Sequence, residues 1–298
     1  MRRWSFAKGH GTENDFVILL DRESMLDVGP SEVRFICDRR AGIGADGLLR
    51  AVLARHIDGW EGDGGLWFMD YRNADGSIAE MCGNGLRVFV RFLLDQDLVS
   101  GPMVKIATRS GLKVATALPN GTIRVSMGPV TIADRLVVVT TADGTEFKAL
   151  TADVGNPHVV SFVENPDDLP LYAPPRWDPT AEFPLGVNLE FVRSRGLRHI
   201  AMRVYERGVG ETRSCGTGTV AAAAAARVRD QDKTPLPVTY QVDTPGGSVE
   251  VELAEDEAYL TGPAVLVAHG ELDLPDREVL ETENLTLTAS ASPARPST

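Results

Sequence analysis

Two short runs constrain the fold of this chain more than anything else in it. Asn73-Ala-Asp-Gly-Ser leads, after four intervening residues, into Cys82-Gly83-Asn84-Gly85, and Glu206-Arg207-Gly-Val-Gly-Glu-Thr-Arg-Ser leads into Cys215-Gly216-Thr217-Gly218. Each run holds one cysteine in Cys-Gly-x-Gly, with a polar residue nine positions before it (82 − 73 and 215 − 206). Leu86, Phe89, Val90, Leu93 and Leu94 follow the first run at helical spacing, which predicts a helix from about Asn84 with one face buried. Six alanines, Ala221 to Ala226, follow the second. Alanine is the best helix former, and a flank of methyl groups admits a close neighbour, so this helix is predicted to be buried. Both cysteines therefore fall at predicted helix N-termini, where unpaired N–H groups and the helix dipole favour a thiolate and lower a thiol pKa. The glycines let backbone N–H groups reach a bound carboxylate. A free cysteine is by default a small buried hydrophobe. Cys37, in Val33-Arg-Phe-Ile-Cys-Asp with no glycine beside it, fits that default and reads as structural. The matched pair reads differently, as two thiols facing one another across a cleft, one acid and one base.

The 298 residues suit two domains of ordinary size, and 43% hydrophobic with 24% charged residues is the composition of a soluble globular protein. A net charge of −12 argues against a nucleic-acid partner. The start, Met1-Arg-Arg-Trp, lacks the apolar core of a signal peptide, and no apolar run approaches the roughly 20 residues of a membrane span. Three cysteines without framework spacing suit a reducing cytoplasm.

Strands are predicted at Trp4 to Lys8 and Phe16 to Leu20, joined by a turn-rich loop from Gly9 to Asp15, with a short helix capped by Ser31 after them. Gly42-Ile-Gly44-Ala-Asp-Gly47 is a formal dinucleotide fingerprint, but no apolar strand precedes it and a strand-like run follows, so it reads as a glycine-rich turn. Asn120-Gly121 is a hairpin signal, and Gly128-Pro129 a plausible boundary. Gly155-Asn156-Pro157-His158 interrupts two strands of the second half. The proline- and acid-rich stretch from Asn165 to Pro184 reads as a surface excursion. A Ser/Thr/Ala/Pro-rich tail, 281–298, is expected to be disordered. Each half thus has several antiparallel-type strands, one Cys-Gly-x-Gly and one helix behind it.

At these residues the chain resembles diaminopimelate epimerase. Five blocks carry the likeness: Lys8-Gly-His-Gly-Thr-Glu-Asn14-Asp15-Phe16; Asn73 through Gly85; Gly155 through His158; Val187-Asn188; and Tyr205 through Gly218. The resemblance implies an α/β fold of two pseudo-symmetric domains, each a curved, mostly antiparallel sheet around a central helix, with the active site in the cleft between them. The implied division is 1–128 plus 265–280, and 129–264, in a homodimer. It implies Cys82 and Cys215 as catalytic thiols. Asn14, Asn73, Asn156, Asn188, Glu206 and Arg207 would hold diaminopimelate, helped by backbone N–H groups of Gly83, Asn84, Gly216 and Thr217, and His158 and Glu206 would tune the thiols. Neither a cofactor nor a metal is implied. The reaction would convert the LL to the meso isomer, for lysine and peptidoglycan precursors. One departure is Gly47, where many members carry a pocket glutamine. The alternatives left open are another two-thiol racemase, of the proline or hydroxyproline type, and a thiol redox protein.

Overall fold

A computed structural model describes residues 2–282. The first part of the chain forms β1 (Arg2–Gly11), β2 (Asn14–Leu20), α1 (Pro30–Cys37), β3 (Gly47–Leu53), β4 (Trp67–Asn73), α2 (Gly83–Asp95), β5 (Met103–Thr108), β6 (Gly111–Ala117) and β7 (Ile123–Gly128). The second forms β8 (Thr131–Thr140), β9 (Glu146–Asp153), β10 (Pro157–Phe162), β11 (Arg176–Asp178), β12 (Asn188–Gly196), β13 (His199–Glu206), β14 (Gly210–Thr212) and α3 (Gly216–Arg229). Four strands close it: β15 (Val238–Thr244), β16 (Gly247–Leu253), β17 (Ala258–Gly262) and β18 (Val265–Leu274).

Strand pairing repeats itself. From β18 through β1 to β7, successive neighbours pair antiparallel, antiparallel, parallel, antiparallel, parallel, antiparallel, antiparallel. The series β8, β9, β10, β12, β13, β15, β16, β17 pairs in the same order of signs. The last strand, β18, therefore plays in the first half the part that β8 plays in the second. β7 pairs with β17, so the two halves share one continuous sheet. In each half the helix that follows the cysteine is the crossover between two parallel strands, β4 to β5 for α2 and β13 to β15 for α3. A parallel pair needs such a crossover, and covering a sheet face with it buries both.

The core follows from the helix sequences. Leu86, Phe89, Val90 and Leu93 of α2 are fully buried, each side chain contributing about 1.5–3 kcal/mol. The six alanines of α3 are 0–6% exposed, and both helices lie in one continuous core. Cys37 packs with α1 in a separate cluster, and burial pushes its thiol up to about 12. No helix among the described residues is long and apolar enough to cross a membrane.

Several local expectations need correction. The loop between β1 and β2 is only Thr12 and Glu13, both with positive φ (50° and 60°), the conformation of a tight hairpin turn. The helix expected to be capped by Ser31 starts at Pro30, with Gly29 as its cap, and Gly29 N donates to Glu32 Oε2 at 2.9 Å. The excursion from 165 to 184 contains β11, which pairs with β8, and it buries Leu171. β14 was not foreseen. The glycine run before β3 is a turn, and a Cβ on Gly42 would lie 1.9 Å from Phe35 O. Most of the expected disordered tail, from 283 on, lies outside the described residues.

Candidate active site

The site lies where the ends of many strands and both cysteine-capped helices converge. Cys82 is the N-cap of α2, and its sulfur accepts from Gly85 N at 3.4 Å. Cys215 is the N-cap of α3, and its sulfur accepts from Gly218 N at 3.4 Å. The helix N-termini abut: a Cβ on Gly216 would lie 3.1 Å from Gly83 Cα and 3.2 Å from Asn84 N. Both thiols are free and line one cavity of about 510 Å³.

The strand ends bring up the polar groups. Asn14 opens β2, Asn73 ends β4, Asn156 precedes β10 behind Gly155 (φ 86°), Asn188 opens β12 and Glu206 ends β13. All five line the cavity with Arg207, Gly83, Gly216 and Thr217. Asn188 Oδ1 accepts from Arg207 N at 3.0 Å and its Nδ2 donates to Pro157 O at 3.1 Å, which fixes its amide. Thr212 Oγ1 donates to Glu206. Asn73 Nδ2 donates to Ser77 Oγ at 3.0 Å.

Two expected residues stand behind the wall rather than in it. Asn84 is fully buried, and its Nδ2 bridges Asn14 Oδ1 (3.3 Å) and Ser214 O (3.1 Å). His158 is also fully buried, and its Nδ1 lies 2.7 Å from Glu190 Oε1 and its Nε2 3.0 Å from Asn156 Oδ1. Sequence reasoning missed Glu190 and Ser214, which read as ordinary strand and loop residues. It also missed Asp46 and Tyr71, which line the cavity. Asp46 Oδ2 accepts from Asn14 Nδ2 at 2.8 Å. Tyr71 accounts for Gly47: a Cβ there would lie 2.7 Å from Tyr71 Cε2, so the phenol occupies the space of a side chain at 47.

Electrostatics correct the expectation of lowered thiol pKa values. The N–H donors are in place, but burial outweighs them and Glu206 adds to it. Cys82 is pushed up to about 11, and Cys215 well above the ordinary thiol range, with Glu206 and Glu190 both raising it. Burial likewise pushes Glu206 up to about 7, against the Thr212 hydrogen bond. Burial thus disfavours an anion on any of the three.

The sequence model of the family described as "Diaminopimelate epimerase" matches residues 6–133 and 150–267. The chain is 50% identical over 279 residues to the diaminopimelate epimerase of Streptomyces coelicolor, covering 91% of this chain and 96% of that one. It is 47% identical over 280 residues to that of Thermobifida fusca, covering 90% and 98%. Among solved structures, a PhzF-family phenazine biosynthesis protein from Bacillus anthracis superposes with a TM-score of 0.69 at 16% identity, covering 92% of this chain and all of that one. A hydroxyproline epimerase from Agrobacterium vitis superposes with a TM-score of 0.63 at 15% identity, covering 93% and 94%. The two structures bear on the fold alone.

Proposed function

The chain belongs to the diaminopimelate epimerase family and is an isomerase, and on that premise we propose that Cys82 and Cys215 epimerise LL-diaminopimelate as a thiolate–thiol pair. The observation that carries the reading is the pair of cysteine-capped helix N-termini meeting head to head at one cavity. One sulfur removes the α-hydrogen from one face and the other returns a proton to the opposite face. The roles exchange in the reverse direction. The α-hydrogen is a very weak acid, so the developing negative charge needs preorganised positive potential. Backbone N–H groups of Gly83, Asn84, Gly216 and Thr217, at two helix ends, suit the α-carboxylate. The substrate's α-ammonium brings a cation close to the sulfurs, which favours the thiolate that burial alone disfavours.

Glu206 and Arg207 suit the distal ammonium and carboxylate of diaminopimelate, and the amides of Asn14, Asn73, Asn156 and Asn188 complete the hydrogen bonding. His158, held behind Asn156, tunes the second thiol. Each proton step has a thiol to perform it, so the proposed reaction is cofactor-independent. The repeated strand pairing supports a division into 1–128 plus 265–280 and 129–264, with the cavity between. We extend the reading, as the family resemblance implies, to a cytoplasmic homodimer supplying lysine and peptidoglycan precursors.

The test is proton exchange in D₂O, followed by NMR on reduced protein with LL-diaminopimelate and no added cofactor. The α-proton signal should disappear as the meso isomer forms, and Cys82→Ala and Cys215→Ala should each abolish epimerisation. Exchange with proline but not with diaminopimelate would keep the two-thiol chemistry and overturn the substrate.

A further inference from the structure

The two halves are superposable in pairing but not in chemistry. The register aligns Phe16 opposite Gly47 with His158 opposite Asn188, and two residues on, Ile18 opposite Leu49 with Val160 opposite Glu190. The same counting matches Asn14 with Asn156. The helices agree: a Cβ on Gly85 would touch Leu49 Cδ2 (3.4 Å) and Phe16 Cζ (3.4 Å), whereas one on Gly218 would lie 2.7 Å from Glu190 Oε1. Behind Cys82 the backing is therefore apolar, with phenylalanine and leucine. Behind Cys215 it is a fully buried imidazole and carboxyl.

That pair begins a chain of hydrogen bonds that ends at the catalytic sulfur. Glu190 Oε1 faces His158 Nδ1 at 2.7 Å, and His158 Nε2 faces Asn156 Oδ1 at 3.0 Å. Asn156 Nδ2 donates to Thr217 Oγ1 at 3.4 Å, and Thr217 Oγ1 lies 3.5 Å from Cys215 Sγ. The directions of the links at Asn156 follow from the orientation of its amide. With the amide oxygen of Asn156 facing the ring, Nε2 carries hydrogen, whichever of Glu190 and His158 holds the proton between them. The amide nitrogen then donates to Thr217, whose own hydrogen can point at the sulfur and must do so if the two are to bond when Cys215 is a thiolate. His158 is the one side chain hydrogen-bonded to Glu190 among the described residues, and Glu190 Oε2 has no partner. At the matching Asn14 the sense is reversed: Asp46 accepts from Nδ2 at 2.8 Å, so Oδ1 faces Cys82 Sγ, at 3.6 Å.

We propose that Glu190 is a positioning residue for the reaction, which acts through His158, Asn156 and Thr217 to aim a hydrogen bond at Cys215 that Cys82 does not receive. This rests on the reading of Cys215 as an acid–base thiol. Among the charged and titratable groups that bear on Cys215 are Glu206 from β13, Glu190 from β12 and Tyr71 from β4, and Cys82, Asp46, Lys113 and Arg207 line the same cavity. Glu190 thus has two opposed effects on the thiolate, repulsion as a bare charge and support through the relay, and the proposal is that the relay prevails.

The test needs no substrate, so its result is separate from that of the epimerase assay. Alkylation by iodoacetamide is followed against pH, with each cysteine read from its own peptide by mass spectrometry. In Glu190→Gln and in Glu190→Leu, which copies the Leu49 of the other half, the midpoint for Cys215 should rise by about one pH unit, tenfold less thiolate at a given pH. The midpoint for Cys82 should stay. A fall at Cys215 would make Glu190 a bare buried charge, and no change or equal changes at both cysteines would make it structural, each overturning the proposal. Should neither variant fold, ring-nitrogen NMR of the unaltered protein decides: a His158 Nε2 without hydrogen breaks the relay.

Discussion

Glu206 ties the chemistry of the cavity to pH. Its folded-state pKa of about 7 lies above the ordinary carboxyl value because the group is buried, so the free enzyme keeps it protonated well into the range where an exposed glutamate is charged. Holding a distal ammonium requires the carboxylate, and the ammonium in turn favours it. Binding therefore expels a proton from Glu206 below about pH 7 and none from this group well above it, apart from any proton a thiol gives up. We expect kcat/KM to fall nearly tenfold per pH unit on the acid side of that value. Calorimetry in buffers of different ionisation enthalpy should show nearly one more proton released at pH 6 than near pH 8, a difference that is absent in Glu206→Gln. A binding heat independent of buffer at pH 6 would rule this out. The same linkage makes Glu206 a cost to stability that grows as pH rises from the unfolded value through about 7, since the folded state holds the proton more tightly. At this scale the sequence was readable wherever a residue's neighbours along the chain define its setting, as at Cys82, Cys215 and the Glu206-Arg207 pair. It was silent on Glu190, Asp46 and Ser214. Their partners are far off in the chain (His158, Asn14, Thr12), and a glutamate in Asn188-Leu-Glu-Phe has the alternating pattern of any half-buried strand.

Each helix was legible as an element, since Cys-Gly-x-Gly marks its start and its apolar spacing its buried face. Their mutual placement was not, because it depends on one backbone touching another. Gly216 is where that happens. Replacing it with alanine puts a methyl group about 3 Å from Gly83 and the N of Asn84, too close for atoms that belong to backbone. The helix ends, and the N–H groups proposed to hold the carboxylate, must move apart by a few tenths of an ångström. A misplacement of about 1 Å can cost on the order of 10²-fold in rate, so a shift of a few tenths should cost several-fold. Gly216→Ala should therefore lose most of kcat while unfolding cooperatively only a few degrees lower. Unchanged kcat would mean that the contact is incidental. α3 offers a contrasting change. Ala223 is fully buried and far along the helix from the site. Ala223→Leu forces extra methylenes into a close-packed core at a cost of about 1–3 kcal/mol, which should appear in denaturant midpoints and leave KM alone.

Besides the abutting helix ends, two further junctions join the halves of the molecule, and they differ in kind. One is the β7–β17 ladder, running from Ile123 opposite Gly262 to Gly128 opposite Ala258, with the chain crossing beside it at Pro129 and again at Pro263. The other is a small latch. The tip of the β1–β2 hairpin seats on the stretch before Cys215: Thr12 Oγ1 lies 2.7 Å from Ser214 Oγ, and a Cβ on Gly246 would lie 1.9 Å from Thr12 O. Asn84 Nδ2 also reaches Ser214 Oγ, at 3.3 Å, and Arg213 pairs with Glu13 at the surface. Holding a β-branched residue at φ 50° is unfavourable in isolation, so the seat must supply what keeps Thr12 there. A ladder of backbone hydrogen bonds bends as a unit, whereas side-chain contacts part and re-form, so opening of the cavity is expected to pivot on β7–β17 and release the latch. Ser214→Ala tests this. It removes two buried neutral hydrogen bonds at about 1 kcal/mol each, enough to shift an open–closed equilibrium by roughly tenfold or more. The substrate-free variant should scatter X-rays as a more open particle and exchange amides faster at the N-termini of α2 and α3. Substrate should restore both, and kcat/KM should fall about tenfold while kcat at saturation holds. A loss of kcat with no change in scattering or exchange would place Ser214 in the chemistry instead of the closure.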